Sequence, residues 1–326
     1  MDKKRVLFIG IGFYDYEKAI TGQFKQLGYE VDYFSEVPAN GLKYRLYSRF
    51  NNTGELEKIR AKHSIQIANN CSTDYDVVFI IKCEYLTVQA LEIIKLKNPK
   101  ANYVLYLWDS ITRLTNIEAK FPFFNKVYSF DRLDCLSNEL LNFNPLFFRE
   151  EYITDQIDIE RETFGLYHLG WYHSDRLHLI VKIARYLDEN SIKYNLVLFT
   201  GYFSYLMQRL FGGELGKNRK YLIFKTLSAA SNFANILKSK STLDIAHPLQ
   251  SGLTMRTIEL LGVQRKIITT NSDIVNYDFY HPNNVLVIDR ENPVLNIEFF
   301  DSEFIPVSNE IVSKYSIHNW LKRMLN

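Results

Sequence analysis

The sequence predicts an α/β protein built from two consecutive doubly wound domains. The chain of 326 residues exceeds an ordinary single domain. Short apolar runs alternate with amphipathic helical stretches, which is the signature of parallel sheets covered on both faces. The alternation stops at a polar stretch near residue 150 and then begins again.

In the first half the strand runs are "RVLFIGI" (5–11), "EVDYF" (30–34), "DVVFII" (76–81), "NYVLYLW" (102–108) and "KVYSF" (126–130). Stretches such as "YEKAITGQFKQLG" and "LTVQALEIIKLK" fill the gaps with helical periodicity. The polar stretch "FREEYITDQIDIERE" (148–162) has no apolar period. It divides the chain into a domain over 1–150, a linker over 151–163 and a domain over 164–326. The second half runs "FGLYHLG" (164–170), a helix from Ser174, "YNLVLFTG" (194–201), "KYLIFK" (220–225), a helix through "ASNFANILKSK", "STLDIA", a helix over 252–262, "KIITTN" and "NNVLVID". "SNEIVSKYSIHNWLKRML" closes the chain as a helix.

Composition narrows the function. Hydrophobic residues at 47% and charged residues at 23% describe an ordinary soluble globular protein. A net charge of +2 argues against a nucleic-acid partner, which would ask for a more basic domain. Cys71, Cys83 and Cys135 show no metal or redox spacing and read as thiols of a reducing cytosol. The basic start is followed by too short an apolar run for a secretion signal, and no stretch has membrane-span length. The expected location is cytoplasmic, at most peripheral on the inner membrane face.

Ligands of open parallel sheets bind outside the carboxyl ends of the strands, so the cleft between two such domains is the expected site. "GIGFYD" (10–15) matches two glycines of a dinucleotide fingerprint but carries Asp15 at the third, which points to a tight turn without a cofactor. Asp15 is then a helix-start residue or a cleft carboxylate. "LYLWDS" puts Asp109 at a strand end, either as a proton acceptor for an attacking hydroxyl or as a helix cap. Asp131 in "SFDRLD" has the same two readings, the cap favoured. In "LGWYHSDR", Gly170, His173, Ser174 and Arg176 stand where a strand meets a helix. An arginine in a first helical turn opposes the helix dipole unless a phosphate lies between them. The competing reading pairs Arg176 with Asp175 or Asp188.

"SGLTMRTIELLG" (251–262) joins two strands. Ser251 reads as the cap, Gly252 as a close approach to ligand, and the N–H groups of Leu253 and Thr254 as an anion site. Helical spacing puts Gly252, Arg256 and Glu259 on one face, with Leu253, Leu260 and Leu261 toward the core. A surface ion pair between Arg256 and Glu259 is the bland alternative. The sequence has no G-x-x-x-x-G-K-[ST], no H-E-x-x-H, no G-x-S-x-G, no strand-end D-x-D and no spaced His/Cys cluster, so no metal is expected.

The two Rossmann-like domains, the polar linker, the "G-L-T-x-R-x-x-E-L-L-G" helix start with "KIITTN" after it, and the closing helix resemble a GT-B glycosyltransferase. Thr254, Arg256, Glu259, Gly262, Ile268 and Thr269 resemble the pattern of CgeB-like and related capsule or lipopolysaccharide transferases. The resemblance implies two domains facing a cleft, with a nucleotide-sugar donor on the second domain. It puts Glu259 on the ribose, and Thr254, Arg256 and Arg176 on the diphosphate. Many relatives carry a second glutamate eight residues earlier, where this chain has Ser251. Inverting and retaining outcomes both stay open, and Asp109 and Asp15 are the candidate bases of an inverting reaction. An epimerase or hydrolase on the same architecture, and a non-catalytic nucleotide-sugar binder, are the alternatives.

The expected acceptor is a glycan or a lipid-linked glycan. "GLKYRLYSRF" (41–50) alternates Lys43, Arg45 and Arg49 with aromatic and aliphatic residues, as a segment lying on an anionic membrane would. Packing into the first domain explains it equally well.

Overall fold

The apolar runs of the first half become parallel strands with helices in the gaps between them, except between residues 107 and 126, where the 3-10 turns Ile111–Arg113 and Glu118–Phe123 stand instead. The computed structural model describes residues 3–12, 15–38, 53–153, 163–173, 175–248 and 250–326. The chain forms two compact units, Met1–Leu146 with Leu249–Gly252 and Ser316–Asn326, and Phe147–Pro248 with Leu253–Tyr315. The basic-aromatic segment 41–50 and most of the polar linker lie outside the described residues.

The first unit contains β1 (Lys4–Gly10), β2 (Tyr29–Ser35), β3 (Val77–Ile81), β4 (Asn102–Leu107), β5 (Lys126–Ser129) and β6 (Leu141–Phe143). They form one parallel sheet in the order β2-β1-β3-β4-β5-β6. Val6 of β1 stands opposite Val31 on one side and Val77 on the other. Every residue of β3 is buried, as a central strand covered on both faces requires. One face carries Leu7, Ile9, Val78, Ile80 and Leu105 against the helix Val88–Lys97.

The opposite face explains where the end of the chain goes. Trp320 is fully buried, its ring edge-on to Tyr106 at 4.9 Å and to Phe79 at 5.9 Å. Asn144 donates to the Trp320 carbonyl at 3.2 Å and accepts from the Arg323 guanidinium at 2.7 and 2.9 Å. Removing such an indole typically costs ~3–5 kcal/mol. The closing helix, continuous with the second domain in the sequence pattern, is therefore packed within the first unit. It is also two helices, Asn309–Lys314 and Ile317–Leu325, because Ser316 accepts the Asn319 N–H at 3.3 Å and starts a new one.

The second unit contains β7 (Phe164–Trp171), β8 (Tyr194–Phe199), β9 (Leu222–Ile223), β10 (Ser239–Asp244), β11 (Lys266–Thr269) and β12 (Val285–Val287), again all parallel. The order β12-β11-β10-β7-β8-β9 is the Rossmann order 3-2-1-4-5-6 read from the other edge. The run "KYLIFK" yields only two strand residues, because Arg219–Tyr221 is a turn of 3-10 helix. Leu177, Ile180, Ile183 and Leu187, one stripe of the helix Arg176–Glu189, pack with Leu166 and Leu198 of the sheet.

Each sheet reverses direction once, between β1 and β3 in the first unit and between β7 and β10 in the second. Crevices at such points, outside the carboxyl ends of the strands, are where this architecture binds ligands. No helix among the described residues is long and apolar enough to cross a membrane.

Candidate functional site

In the second unit, arginines gather at the carboxyl ends of β7 and β10. Arg176 opens the helix after β7 and donates to the Ile245 carbonyl at 3.0 Å, just beyond β10. Its Nε is buried and has no hydrogen-bond partner among the described residues. Arg256 donates to the Leu169 carbonyl of β7. Arg290, beyond β12, clasps Asp175 at 2.6 and 2.7 Å and donates to the Ala246 carbonyl at 2.8 Å.

Burial, then the repulsion of Arg256, pulls the Arg176 pKa down to about 10; Asp244 and Asp175 oppose this and Arg290 adds to it. His173 is lowered by burial and by Arg176, His247 and Arg290. His168 on β7 is lowered well below the ordinary histidine value by burial and then by Arg256. Its Nδ1 lies 2.7 Å from the Leu243 carbonyl, which assigns that nitrogen the proton of the neutral ring. The structure thus concentrates positive charge where a ligand of this fold would sit, and a bound anion would relieve the repulsion.

The pairing of Arg176 with Asp175 or Asp188 is not what forms. Asp175 goes to Arg290, and Arg176 turns inward to main-chain carbonyls. Ser174 lies outside the described residues.

The helix expected over 252–262 begins later. Thr254 is its cap, accepting the Thr257 N–H at 3.3 Å, and the helix is Met255–Gly262. Both Thr254 and Thr257 donate their hydroxyls to Asp244 of β10, at 2.9 and 2.8 Å, so the strand's last carboxylate fixes where the helix starts. The reading of Ser251 as cap is corrected accordingly. Ser251 belongs to the first unit, where its hydroxyl and its N–H both donate to Asp131. Gly252 meets a side chain at the position read as a ligand approach: a Cβ there would lie 2.4 Å from the ring of Phe130. Leu253 is buried, as expected. Glu259 is buried beside Tyr152, whose hydroxyl pKa is pushed up to about 12 by burial and then by the Glu259 charge.

In the first unit a second polar group occupies the strand ends. Asp109 follows β4 and meets Lys82 at 3.0 Å, Arg113 at 2.8 Å and the amide of Gln250 at 2.9 Å. Asp109 and Ser110 make no helix-capping bond, since the Ser110 hydroxyl goes to Asp131 and the Ile111 N–H to Asp134. Asp131 does cap its helix, through the N–H groups of Leu133 and Asp134. Burial alone would raise its pKa, but hydrogen bonds from Ser110, Ser251 and Gly252 outweigh that and lower it. Asp15 stands in a left-handed conformation with φ 62°, makes no side-chain cap bond and pairs with Lys18 at 2.7 Å.

The backbone is strained beside Asp109. Lys82 and Cys83, the two residues after β3, both have left-handed φ values of 69° and 56°. Glu36, beyond β2, is buried and accepts the N–H groups of Glu84 at 3.3 Å and Tyr85 at 3.2 Å. Burial raises its pKa to about 7, against the hydrogen bonds and the charges of Lys120 and Lys82.

Sequence reasoning missed Arg290, Lys82 and Glu36. All three stand just past an apolar strand run, so the strand-end rule that found Asp109 reaches them too. Among the described residues no cluster of His, Cys, Asp and Glu could hold a metal ion.

No family profile and no curated relative matches this sequence. Solved structures do match along nearly its whole length. The lipopolysaccharide outer core galactosyltransferase WaaB, in its apo form, aligns at TM-score 0.55 and 12% identity, over 99% of this chain and 98% of that one. The fold is GT-B. Anabaena HepE, in complex with UDP and glucose, aligns at TM-score 0.55 and 12% identity over 98% and 94% of the two chains. UDP-N-acetylglucosamine 2-epimerase from Rickettsia bellii aligns at TM-score 0.58 and 9% identity over 99% and 96%. At such identities the likeness is one of GT-B architecture, on which both transferases and epimerases are built.

Proposed function

We propose that this chain is a glycosyltransferase, moving a sugar from a nucleotide-sugar donor to a glycan or lipid-linked glycan in bacterial surface polysaccharide synthesis. The observation that carries the reading is the convergence of Arg176, Arg256 and Arg290 at the switch point of the second sheet. A nucleoside diphosphate is the ligand that such a cationic crevice and the adjoining helix start would neutralise. HepE, on the same fold, was solved with UDP and glucose.

In this reading Arg176, Arg256 and Thr254 hold the diphosphate, and Glu259 accepts the ribose hydroxyls. As the glycosidic bond breaks, negative charge grows on the departing phosphate, and preorganised guanidinium groups stabilise it with no resident metal required. Asp109 accepts the proton of the attacking hydroxyl in an inverting reaction, and Asp15 is the second candidate. Lys82 and Arg113 fix the Asp109 carboxylate in one orientation.

A second reading has its own support, since the Rickettsia epimerase aligns at TM-score 0.58. The test is a thermal-shift panel of UDP, ADP, GDP and CMP, followed by turnover of the matching sugar nucleotides with and without glycan acceptors. The proposed transferase transfers only with acceptor and keeps its rate in EDTA. Loss of activity in EDTA, restored by magnesium or manganese, would make it a metal-dependent transferase. Epimerisation or nucleotide release without acceptor would establish the second reading, and tight binding with no turnover would leave a binding protein.

A further inference from the structure

The helix Tyr202–Leu210 follows β8 in the second unit and turns its apolar side outward. Tyr202, Phe203, Met207, Leu210 and Phe211 are all exposed, Phe203 by 71%, Leu210 by 77% and Phe211 by 80%. At about 100° per residue these five side chains fall within roughly half of the helix circumference. Tyr205 points the other way and is buried, its ring 5.1 Å from that of Phe224. Buried Tyr205 and half-buried Leu206, which packs against the core, anchor the helix to the unit, while Phe203, Met207, Leu210 and Phe211 face solvent. Soluble surfaces rarely leave a contiguous apolar patch of this kind without a partner.

The charge around the stripe has one sign. Between Tyr202 and Lys225 stand Arg209, Lys217, Arg219, Lys220 and Lys225, all exposed, and a single acid, Glu214. A second copy docking through the same face would set these cations against their own counterparts. An anionic surface accepts both features, with aromatic and aliphatic side chains among the acyl chains and lysines at the headgroups. A helix of nine residues is about 14 Å long. That is too short to span a bilayer and long enough to lie in its interface.

We propose that the stripe Tyr202–Phe211, with the cations after it, is a docking surface for an anionic lipid bilayer. The proposal does not rest on the transferase reading, because the stripe and its charges are independent of the arginine crevice.

The full chain is co-sedimented with phosphatidylcholine vesicles, with and without a third of phosphatidylglycerol, at low and high salt. Binding is expected on the anionic vesicles, weakening as salt rises. A Phe203→Ser, Leu210→Ser, Phe211→Ser variant should bind on the order of tenfold to a hundredfold more weakly. Its circular dichroism and thermal midpoint should be those of wild type, since it changes exposed residues. Lys217→Gln, Lys220→Gln, Lys225→Gln should remove the preference for anionic lipid, whereas Lys43→Gln, Arg45→Gln, Arg49→Gln should keep it.

Three results overturn the proposal. The wild type stays in the supernatant with anionic vesicles at low salt, or the serine variant binds as well as wild type. In the third, sedimentation velocity without lipid shows a dimer that the serine variant dissociates, making the stripe a contact between copies.

Discussion

Asp109 at the end of β4 is matched on either side by Lys82 and Arg113, whereas Arg176 and Arg256 at the switch point of the second sheet give their hydrogen bonds to main-chain carbonyls. The two sheets share a parallel architecture, so the difference lies in what the loops after the strands bring. Around Asp109 each charge is met by its opposite, down to Lys82 bridging Asp109 and Glu84. In the second unit Asp244 is engaged by two threonine hydroxyls and Asp175 by Arg290, which leaves repulsion among the arginines. A balanced cluster holds one carboxylate in a fixed orientation. An unbalanced one calls for an anion from outside.

The comparison can be broken at several points. If the first unit supplies the base, Asp109→Asn should lower transfer by about 10²–10⁴-fold. Nucleotide affinity should stay unchanged, because Asp109 lies in the balanced cluster. Equal loss of both in steady-state and calorimetric measurements would show that the two clusters do not divide the work.

Glu36 tests the first unit alone. Its folded pKa of about 7 lies above the ordinary carboxyl value of 4.5, so the folded state favours its protonated form. Its contribution to stability is fully present below about pH 4.5 and declines as pH rises through about 7. Glu36→Gln, which mimics the protonated form, should therefore gain on wild type with rising pH, by up to about 3 kcal/mol at pH 8. Denaturant titrations of both proteins across that range check this, and a constant difference would mean that Glu36 titrates normally.

Glu259→Ala sharpens the second unit. Losing charge-assisted ribose hydrogen bonds should weaken nucleotide-sugar binding by about 1–3 kcal/mol. Unchanged affinity in a folded variant, measured by calorimetry, would leave Glu259 as a partner of the Tyr152 region alone. The smallest effect is expected at Asp15→Asn. The exposed Asp15–Lys18 pair is screened by solvent, so its loss should leave the thermal midpoint where it is in wild type. A shifted midpoint would give the left-handed turn at Asp15 a structural importance of its own.

Much of this was legible in the sequence because buried parallel strands are nearly continuous apolar runs. "DVVFII" and "YNLVLFTG" announce β3 and β8 within a residue or two. β6 was not legible, because three residues at a sheet edge carry no period. The end of the chain was misleading for a different reason. "SNEIVSKYSIHNWLKRML" is apolar at helical spacing on both sides of Ser316, and periodicity says nothing of which sheet will bury Trp320.

The candidate site divides in the same way. Arg176 stood out because a cation at the start of a helix contradicts its dipole, and Arg256 because helical spacing set it on one face with Gly252 and Glu259. Arg290 sits 114 residues beyond Arg176 and joins it only through the strand order β12-β11-β10-β7. Ser251 and Gly252 looked like the start of a helix, but the hydroxyls of Thr254 and Thr257 on Asp244 move that start to Met255. Such a choice depends on a carboxylate brought from the preceding strand, which local propensity does not contain.

The central claim is that the arginine crevice of the second unit, and not the balanced cluster of the first, receives a nucleoside diphosphate. Titration calorimetry of UDP, and of the other diphosphates of the panel, into wild type, Arg256→Gln and Asp109→Asn measures this directly. The account predicts binding to wild type, a loss of about tenfold to a hundredfold in Arg256→Gln, and wild-type affinity in Asp109→Asn. Binding that survives in a folded Arg256→Gln protein and disappears in Asp109→Asn would contradict it.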